Sequence, residues 1–318
     1  MMRIVVTGAT GFVGGFVTRA LEARGAIVVA AGRREPSATG PAVTYAHLDP
    51  DSSLEHMKTV LEGAAAVVHL AAAVHDVHGR TSPAEYMRVN RDYPIRLSEA
   101  AVIAEVPRFV FASTVKVNGE STNEGEVFHE ASPVDPRGPY AKSKWQAEEA
   151  LRTLSVARGI QTRIVRPPLV YGAGVRANFR SLMRWVKRGV PLPFSGFHNA
   201  RSLIYVENLA DILARLAIGE GDRSPSRTYL VSDGQDVSTA DLVRRLARAL
   251  GVAPRLFAVS ESVLRFGLAA LKRSDMADRL VGSLQIHGQQ ARRDLAWSPP
   301  FSLDDGLSRT AKWFVEQA

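Results

Sequence analysis

The chain predicts a doubly wound parallel α/β sheet followed by a smaller mixed α/β lobe. Three observations carry that expectation. Six short apolar runs alternate with helical stretches through the first half, a glycine-rich turn joins the first run to the first helix, and the alternation loosens after about residue 167. Parallel strands read as near-continuous Val, Ile and Ala runs because helices cover both faces of their sheet.

The expected strands are Arg3–Thr7, Ala26–Ala31, Val43–Leu48, Ala65–Leu70, Arg108–Ser113 and Gln161–Arg166. The expected helices are Gly11–Arg24, Ser52–Leu61, Pro83–Glu105 and Tyr140–Arg158. Pro136, Gly138 and Pro139 punctuate the start of the last, and Ala141 to Ala157 is rich in helix formers. A proline- and glycine-bearing stretch from Pro167 to Gly174 opens a region of short helices and a few strands. The expected division is a first domain over residues 1–167 and a second lobe over 168–318, interleaved with the first.

With 318 residues, 46% hydrophobic and 23% charged, the chain can bury a large core. Cysteine is absent, and Met1-Met2-Arg3 runs straight into Ile4-Val5-Val6 with no leader, so a cytoplasmic location is expected. No apolar stretch reaches the roughly 18 residues of a membrane helix, so no membrane span is expected. The formal charge of +8 invites a nucleic-acid partner. However, the arginines are dispersed, with some clustering between Arg244 and Arg293, and no aromatic-interleaved basic patch occurs. A phosphate-bearing small molecule suits that charge better than nucleic acid.

Thr7-Gly8-Ala9-Thr10-Gly11-Phe12-Val13-Gly14 follows the first strand and opens a helix. In that context the glycines have separate tasks. Gly8 permits a tight turn, Gly11 lets a pyrophosphate approach the backbone, and Gly14 lets helix and strand pack closely. The helix start adds N–H donors and a positive dipole end. Thr10, Phe12 and Val13 complete the expected phosphate turn.

The end of the second strand discriminates between cofactors. A site for NAD places Asp or Glu there to grip the ribose 2′-hydroxyl. This chain has Gly32-Arg33-Arg34 instead, with no carboxylate to repel a 2′-phosphate and two guanidiniums to pair with one. NADP(H) is therefore expected in preference to NAD.

Tyr140 and Lys144 are spaced i, i+4, on one face of the expected helix, so phenol and ammonium can meet. A free phenol titrates near ~10, and poising it at neutrality takes roughly 4 kcal/mol of electrostatic help. Ser113 and Thr114 end the fifth strand, and both hydroxyls are expected in the cleft beyond the strand ends. A hydroxyl, a phenol and a lysine beside a nicotinamide can move a hydride and a proton at a carbinol carbon.

Thr7–Gly14, His69-Leu70-Ala71-Ala72, Ser113-Thr114 and Tyr140–Lys144, in this order, resemble the extended short-chain dehydrogenase/reductases over almost the whole chain. The resemblance implies Thr114, Tyr140 and Lys144 as catalytic residues. It also implies Leu48, Leu70, Ala71, Ala72, Ser113 and Pro167 along the cofactor. Finer likenesses point to the nucleotide-sugar branch of epimerases, dehydratases and ketoreductases. Arg166-Pro167-Pro168-Leu169-Val170-Tyr171-Gly172 looks like its sugar-pocket segment, and Asn178-Phe179 stands where the branch contacts a diphosphate. Leu192-Pro193-Phe194 is similar to its uracil-facing stretch, and Arg201 leads the strand whose arginine pairs with the diphosphate. These likenesses imply substrate contacts at Lys116, Asn178, Phe194 and Arg201, and a UDP-sugar substrate. Pro83–Glu105 and Tyr140–Arg158 correspond to the helices through which the family forms a homodimer.

Departures from the branch matter too. Its 4,6-dehydratases carry Asp-Glu after the catalytic Thr, where this chain has Val115-Lys116, so dehydration is not expected. Asn118 replaces a tyrosine of the branch, and His47 stands where an aspartate commonly meets adenine. His75 and His78 flank Asp76 with no further ligand cluster, so no metal site is expected. The resemblance extends to bacterial polysaccharide-pathway proteins labelled UDP-glucose 4-epimerase-like. This likeness, carried by Lys116-Val117-Asn118-Gly119-Glu120, Pro167–Gly172 and His198-Asn199-Ala200-Arg201-Ser202, implies NADPH-dependent reduction of the C4 ketone of a UDP-4-keto-6-deoxy-N-acetylhexosamine, as some of those proteins perform. The alternatives are a UDP-hexose 4-epimerase and a non-catalytic NADP(H)-sensing protein.

Overall fold

The computed structural model describes every residue except 37–39, 75–80, 222–223, 261, 265, 267–279 and 318. His75, Asp76 and His78 therefore lie outside the described residues. Seven strands form a parallel sheet: β1 (Arg3–Thr7), β2 (Ile27–Gly32), β3 (Val43–His47), β4 (Ala66–His69), β5 (Arg108–Ala112), β6 (Gln161–Arg166) and β9 (Ser226–Leu230). Their order is β3-β2-β1-β4-β5-β6-β9, with the direction of winding reversed between β1 and β4. That reversal opens a crevice at the carboxyl ends of the strands, where such sheets bind ligands. Register brings the ends together, because Thr7 pairs with both Ala31 and His69, and His69 with Phe111.

Alternate residues of each strand feed opposite cores. Ile4, Val6, Val28, Ala30, Val68 and Val110 pack with α1 (Gly14–Glu22) and α7 (Val206–Ile218). Val5, Val29, Val67, Phe109 and Phe111 pack on the other face with α2 (Leu54–Leu61), α4 (Tyr93–Ile103) and α5 (Gly138–Arg158). This two-sided burial is what the continuous apolar runs demanded.

The strands of the first half match the expected ones to within a residue at each end. Two helices differ. The first begins at Gly14 rather than Gly11, because residues 8–13 are taken up by the turn. The stretch expected as one helix over Pro83–Glu105 is α3 (Pro83–Met87), a π-turn over Arg88–Asp92, and α4. Pro94 has no N–H to donate to the Asn90 carbonyl, and the π-turn absorbs the missing bond.

The second half forms only a two-stranded sheet of its own among the described residues. It lends β9 to the main sheet and α7 to its cover. The remainder holds the parallel pair β7 (Leu169–Tyr171) and β8 (Leu203–Tyr205), with helices α6 (Ala177–Lys187), α8 (Thr239–Ala249), α9 (Gln290–Leu295) and α10 (Leu303–Glu316). Its own core gathers Tyr171, Phe179, Met183, Phe194, Tyr205, Leu246 and Leu307. No helix among the described residues is long and apolar enough to cross a membrane.

Candidate active site

The turn after β1 is as tight as its glycines suggest. A Cβ on Gly14 would lie 2.2 Å from the Gly8 carbonyl oxygen, and one on Gly8, where φ is +70°, 2.7 Å from the Ala71 nitrogen. Gly8 thus brings the first turn against the loop of Leu70, Ala71 and Ala72, while Thr10 and Gly11 stay exposed. The bare turn beside the start of α1 fits a pyrophosphate, whose oxygens need close backbone N–H donors. Leu48 is buried, and Pro167 uses its carbonyl to accept from the Val115 N–H at 3.0 Å.

At the end of β2, Arg33 and Arg34 are both exposed, and Arg34 forms no ion pair among the described residues. A Cβ on Gly32 would meet nothing within 4 Å. Open space at Gly32 is followed in sequence by these two exposed cations. His47 is exposed and 3.7 Å from the Asp49 carboxylate.

Thr114, Tyr140 and Lys144 converge where β5 ends against the first turns of α5. Pro139 enters that helix at a position where its missing N–H costs nothing, and Gly159 closes it in a left-handed conformation. The Thr114 and Tyr140 hydroxyls are hydrogen-bonding neighbours, an interaction that favours the phenolate. Burial outweighs it and pushes the phenol up to about 12. Lys144 is 1% exposed. Its ammonium donates to the Ala112 carbonyl at 2.8 Å and lies 4.5 Å from the centre of the Phe111 ring. Burial lowers it to about 7, against the opposing pull of Glu148.

Two expectations are corrected here. Lys144 makes no hydrogen bond to the phenol, because the Ala112 carbonyl captures the ammonium. Ser113 also does not share the cleft with Thr114. Its hydroxyl donates to the Glu148 carboxylate at 2.5 Å, on the buried side of the strand end. Adjacent strand residues point to opposite faces, so one of the pair had to turn inward.

Glu148 is fully buried and held by Arg166 through two bonds, Nε to Oε1 at 2.9 Å and Nη2 to Oε2 at 2.5 Å. Arg166 also donates to the Asn118 side-chain oxygen at 3.0 Å. Arg166 and Tyr171, expected along a sugar pocket, are therefore committed to the interior. Tyr171 donates to Asp233 at 2.8 Å.

Among the expected substrate contacts, Lys116 pairs with Glu120 at 2.6 Å. Asn178 is exposed at the start of α6, beside Phe179, which is buried against Tyr171. Phe194 is buried in the second core, near Phe197. Arg201 donates to the Gly282 carbonyl at 2.9 Å. Of these four, Lys116 adjoins the catalytic group directly, its backbone N–H donating to the Thr114 hydroxyl at 3.3 Å.

Sequence reasoning missed Asn90, Tyr86 and Glu148. Asn90 is buried on the π-turn and bridges the loop after β4 to α5, bonding Ala73 N at 2.9 Å and Ser143 Oγ at 3.2 Å. Tyr86 packs edge-on to Tyr140 at 6.0 Å. Pro94 was the legible signal for the first. Glu148 had only its i, i+4 spacing from Lys144, a spacing that solvated surface pairs share. Among the described residues no group of three His, Asp or Glu side chains gathers as a metal site would require.

Comparison with known proteins accords with this arrangement. The model of the NAD dependent epimerase/dehydratase family matches residues 4–231. A UDP-glucose 4-epimerase of Vibrio cholerae is 34% identical over 98% of this chain and 95% of its own length. One of Azospirillum brasilense is 28% identical over 97% and 90%. The structure of MoeE5 in complex with UDP-glucuronic acid and NAD superposes with a TM-score of 0.79 at 28% identity, covering 99% of this chain and all of that one. With its doubly wound sheet, glycine turn and Thr–Tyr–Lys cluster, the chain belongs to the NAD dependent epimerase/dehydratase family, within the nucleotide-sugar branch of the extended short-chain dehydrogenase/reductases.

Proposed function

We propose that the protein reduces the C4 ketone of a UDP-4-keto-6-deoxy-N-acetylhexosamine at the expense of NADPH. The carrying observation is the Thr114–Tyr140 hydroxyl pair beside buried Lys144, at the carboxyl ends of the strands. A bound nicotinamide dinucleotide supplies the hydride. The chain's own residues handle the oxygen and the proton. Thr114 and Tyr140 hydrogen-bond the carbonyl oxygen, and Tyr140 gives its proton to that oxygen as negative charge develops there. A phenol that stays protonated up to about pH 12 suits this acid role. The ammonium of Lys144 stabilises the phenolate that remains.

The exposed guanidiniums of Arg33 and Arg34 at the end of β2 favour NADPH, which leaves as NADP after each turnover. Val115-Lys116 after Thr114 argues against dehydration. In this reading Lys116, Asn178, Phe194 and Arg201 meet the UDP-sugar, and the outer faces of α4 and α5, with Ile103 and Val156 exposed, pair two copies as a homodimer.

A second reading, UDP-hexose 4-epimerisation, is favoured by the relatives of that name. It uses the same three residues, with Tyr140 first accepting and then returning the proton. NADPH absorbance followed with a panel of UDP-4-keto sugars, alongside UDP-glucose and UDP-N-acetylglucosamine without reductant, separates the two. Oxidation of NADPH with keto sugars alone supports reduction. Interconversion of the UDP-hexoses without net cofactor change establishes epimerisation instead.

A further inference from the structure

We propose that Glu148, clamped by Arg166 and Ser113 beneath the cleft, is a positioning residue that keeps Lys144 charged and fixes the strand end carrying Thr114. The inference rests on the Thr114–Tyr140–Lys144 chemistry proposed above. It holds for reduction and epimerisation alike.

The geometry is unusual for a merely structural ion pair. Glu148 sits one helical turn beyond Lys144 and is fully buried. Four donors converge on it: Ser113 Oγ at 2.5 Å, Arg166 Nε at 2.9 Å, Arg166 Nη2 at 2.5 Å and Arg152 Nη2 at 2.7 Å. Trp145 covers the group, with the Arg152 and Arg166 guanidiniums 5.2 and 5.8 Å from its ring centre. A buried ion pair contributes little to stability compared with apolar residues of the same volume, so stability alone is a weak reason for this one.

Its placement supplies a better reason. Lys144 donates to the Ala112 carbonyl, Ser113 donates to Glu148, and Thr114 meets Tyr140. Three consecutive residues of one strand end are thereby tied to α5 at Lys144, Glu148 and Tyr140. The titratable and charged groups around Lys144 are few. Its own helix contributes Tyr140 and Glu148. β4 contributes His69, whose burial holds it well below the usual imidazole range and therefore neutral at pH 7. β5 contributes the Ala112 carbonyl and the Phe111 ring, and β6 contributes Arg166, engaged with Glu148. Glu148 is thus the anion that opposes the burial of the ammonium.

Two variants separate the charge from the clamp. Glu148→Gln keeps the shape and removes the charge, and Lys144 then loses its proton more readily. The alkaline limb of the kcat profile should move down by about one pH unit, the size of effect a neighbouring charge produces. The midpoint of that limb does not depend on how much of the sample is folded. Arg166→Lys keeps both charges but opens the two-bond grip. It should lower kcat at least tenfold, with the limb in place and KM for the sugar nearly unchanged. Should Glu148→Gln yield no folded protein, Arg166→Lys decides alone. A lowered Tm with wild-type kcat and pH profile overturns the inference. Tyr140→Phe is run beside them. If that variant turns over normally, the proposed chemistry itself fails, and the failure is not mistaken for one of Glu148.

Discussion

Two buried, tyrosine-bearing clusters in this molecule differ in how many of their hydrogen bonds are made. Around Asp233, one carboxylate oxygen accepts from the Tyr205 N–H and from Asn208, each at 2.8 Å, and the other from the Tyr171 hydroxyl at 2.8 Å. Asn208 in turn bonds both the carbonyl and the N–H of Phe301. This cluster ties β7, β8, α7 and the approach to α10 into one body. In the cleft, by contrast, the Lys144 ammonium has three donors and, among the described residues, one hydrogen-bonded partner, Ala112. Among the described residues the Tyr140 hydroxyl has the Thr114 hydroxyl as its hydrogen-bonding neighbour. A fully paired buried network specifies structure, whereas spare donors at a strand end are available to a ligand.

Tyr140→Phe should break the contrast on the cleft side with the largest effect. It removes the proton donor, so turnover should fall by roughly 10² to 10⁴-fold. Cofactor binding and Tm should stay near wild type, as measured by fluorescence titration and calorimetry. Asp233→Ala tests the other side. It leaves the Tyr205 N–H and an Asn208 N–H without an acceptor, while the Tyr171 hydroxyl keeps the Leu303 carbonyl, and should cost about 3 kcal/mol in denaturant unfolding. Turnover per folded molecule should change far less than in Tyr140→Phe. If Asp233→Ala unfolds normally, the structural reading of that cluster is wrong.

Arg33 and Arg34 extend the comparison to the turn region. Replacing both with alanine should raise KM for NADPH at least tenfold through the lost charge-assisted bonds, and leave KM for NADH unchanged. Equal changes for the two cofactors would remove the case for a 2′-phosphate. The smallest effect concerns Lys144. Its folded-state pKa, lowered to about 7, lies below the unfolded value, so the unfolded chain holds the extra proton above pH 7. Stability should therefore rise with pH between about 7 and 10, by up to ~1.4 kcal/mol per unit from this group. In Lys144→Met that part of the slope should vanish, and the inactive variant should be at least as stable as wild type at pH 7. A difference curve between the two proteins isolates the effect.

Much of the fold was legible because strand and helix patterns are local. The runs around Val5, Val29, Val67 and Val110 are apolar at successive positions, as strands covered on both faces must be. The π-turn at Arg88–Asp92 was not anticipated, although Pro94 marks it, because the usual prior for a helical stretch is an unbroken ladder. Of the site, the glycine turn and the placing of Tyr140 and Lys144 on one helix were readable. The opposite facings of Ser113 and Thr114 follow from strand alternation, but which one faces the cleft does not.

The order of the motifs along the chain determined the sheet, the turn that fits a phosphate and the presence of a phenol, a hydroxyl and a lysine at its open edge. These are matters of period and spacing, which the local chain dictates. Only the tertiary structure decided that Lys144 bonds Ala112 instead of Tyr140, that Ser113 turns inward to Glu148, and that Arg166 spends its guanidinium below the cleft. Such choices depend on which partner from a distant segment reaches a buried polar group first shielded from water. Burial makes each unpaired group costly, and the folded neighbourhood alone determines what can pair with it.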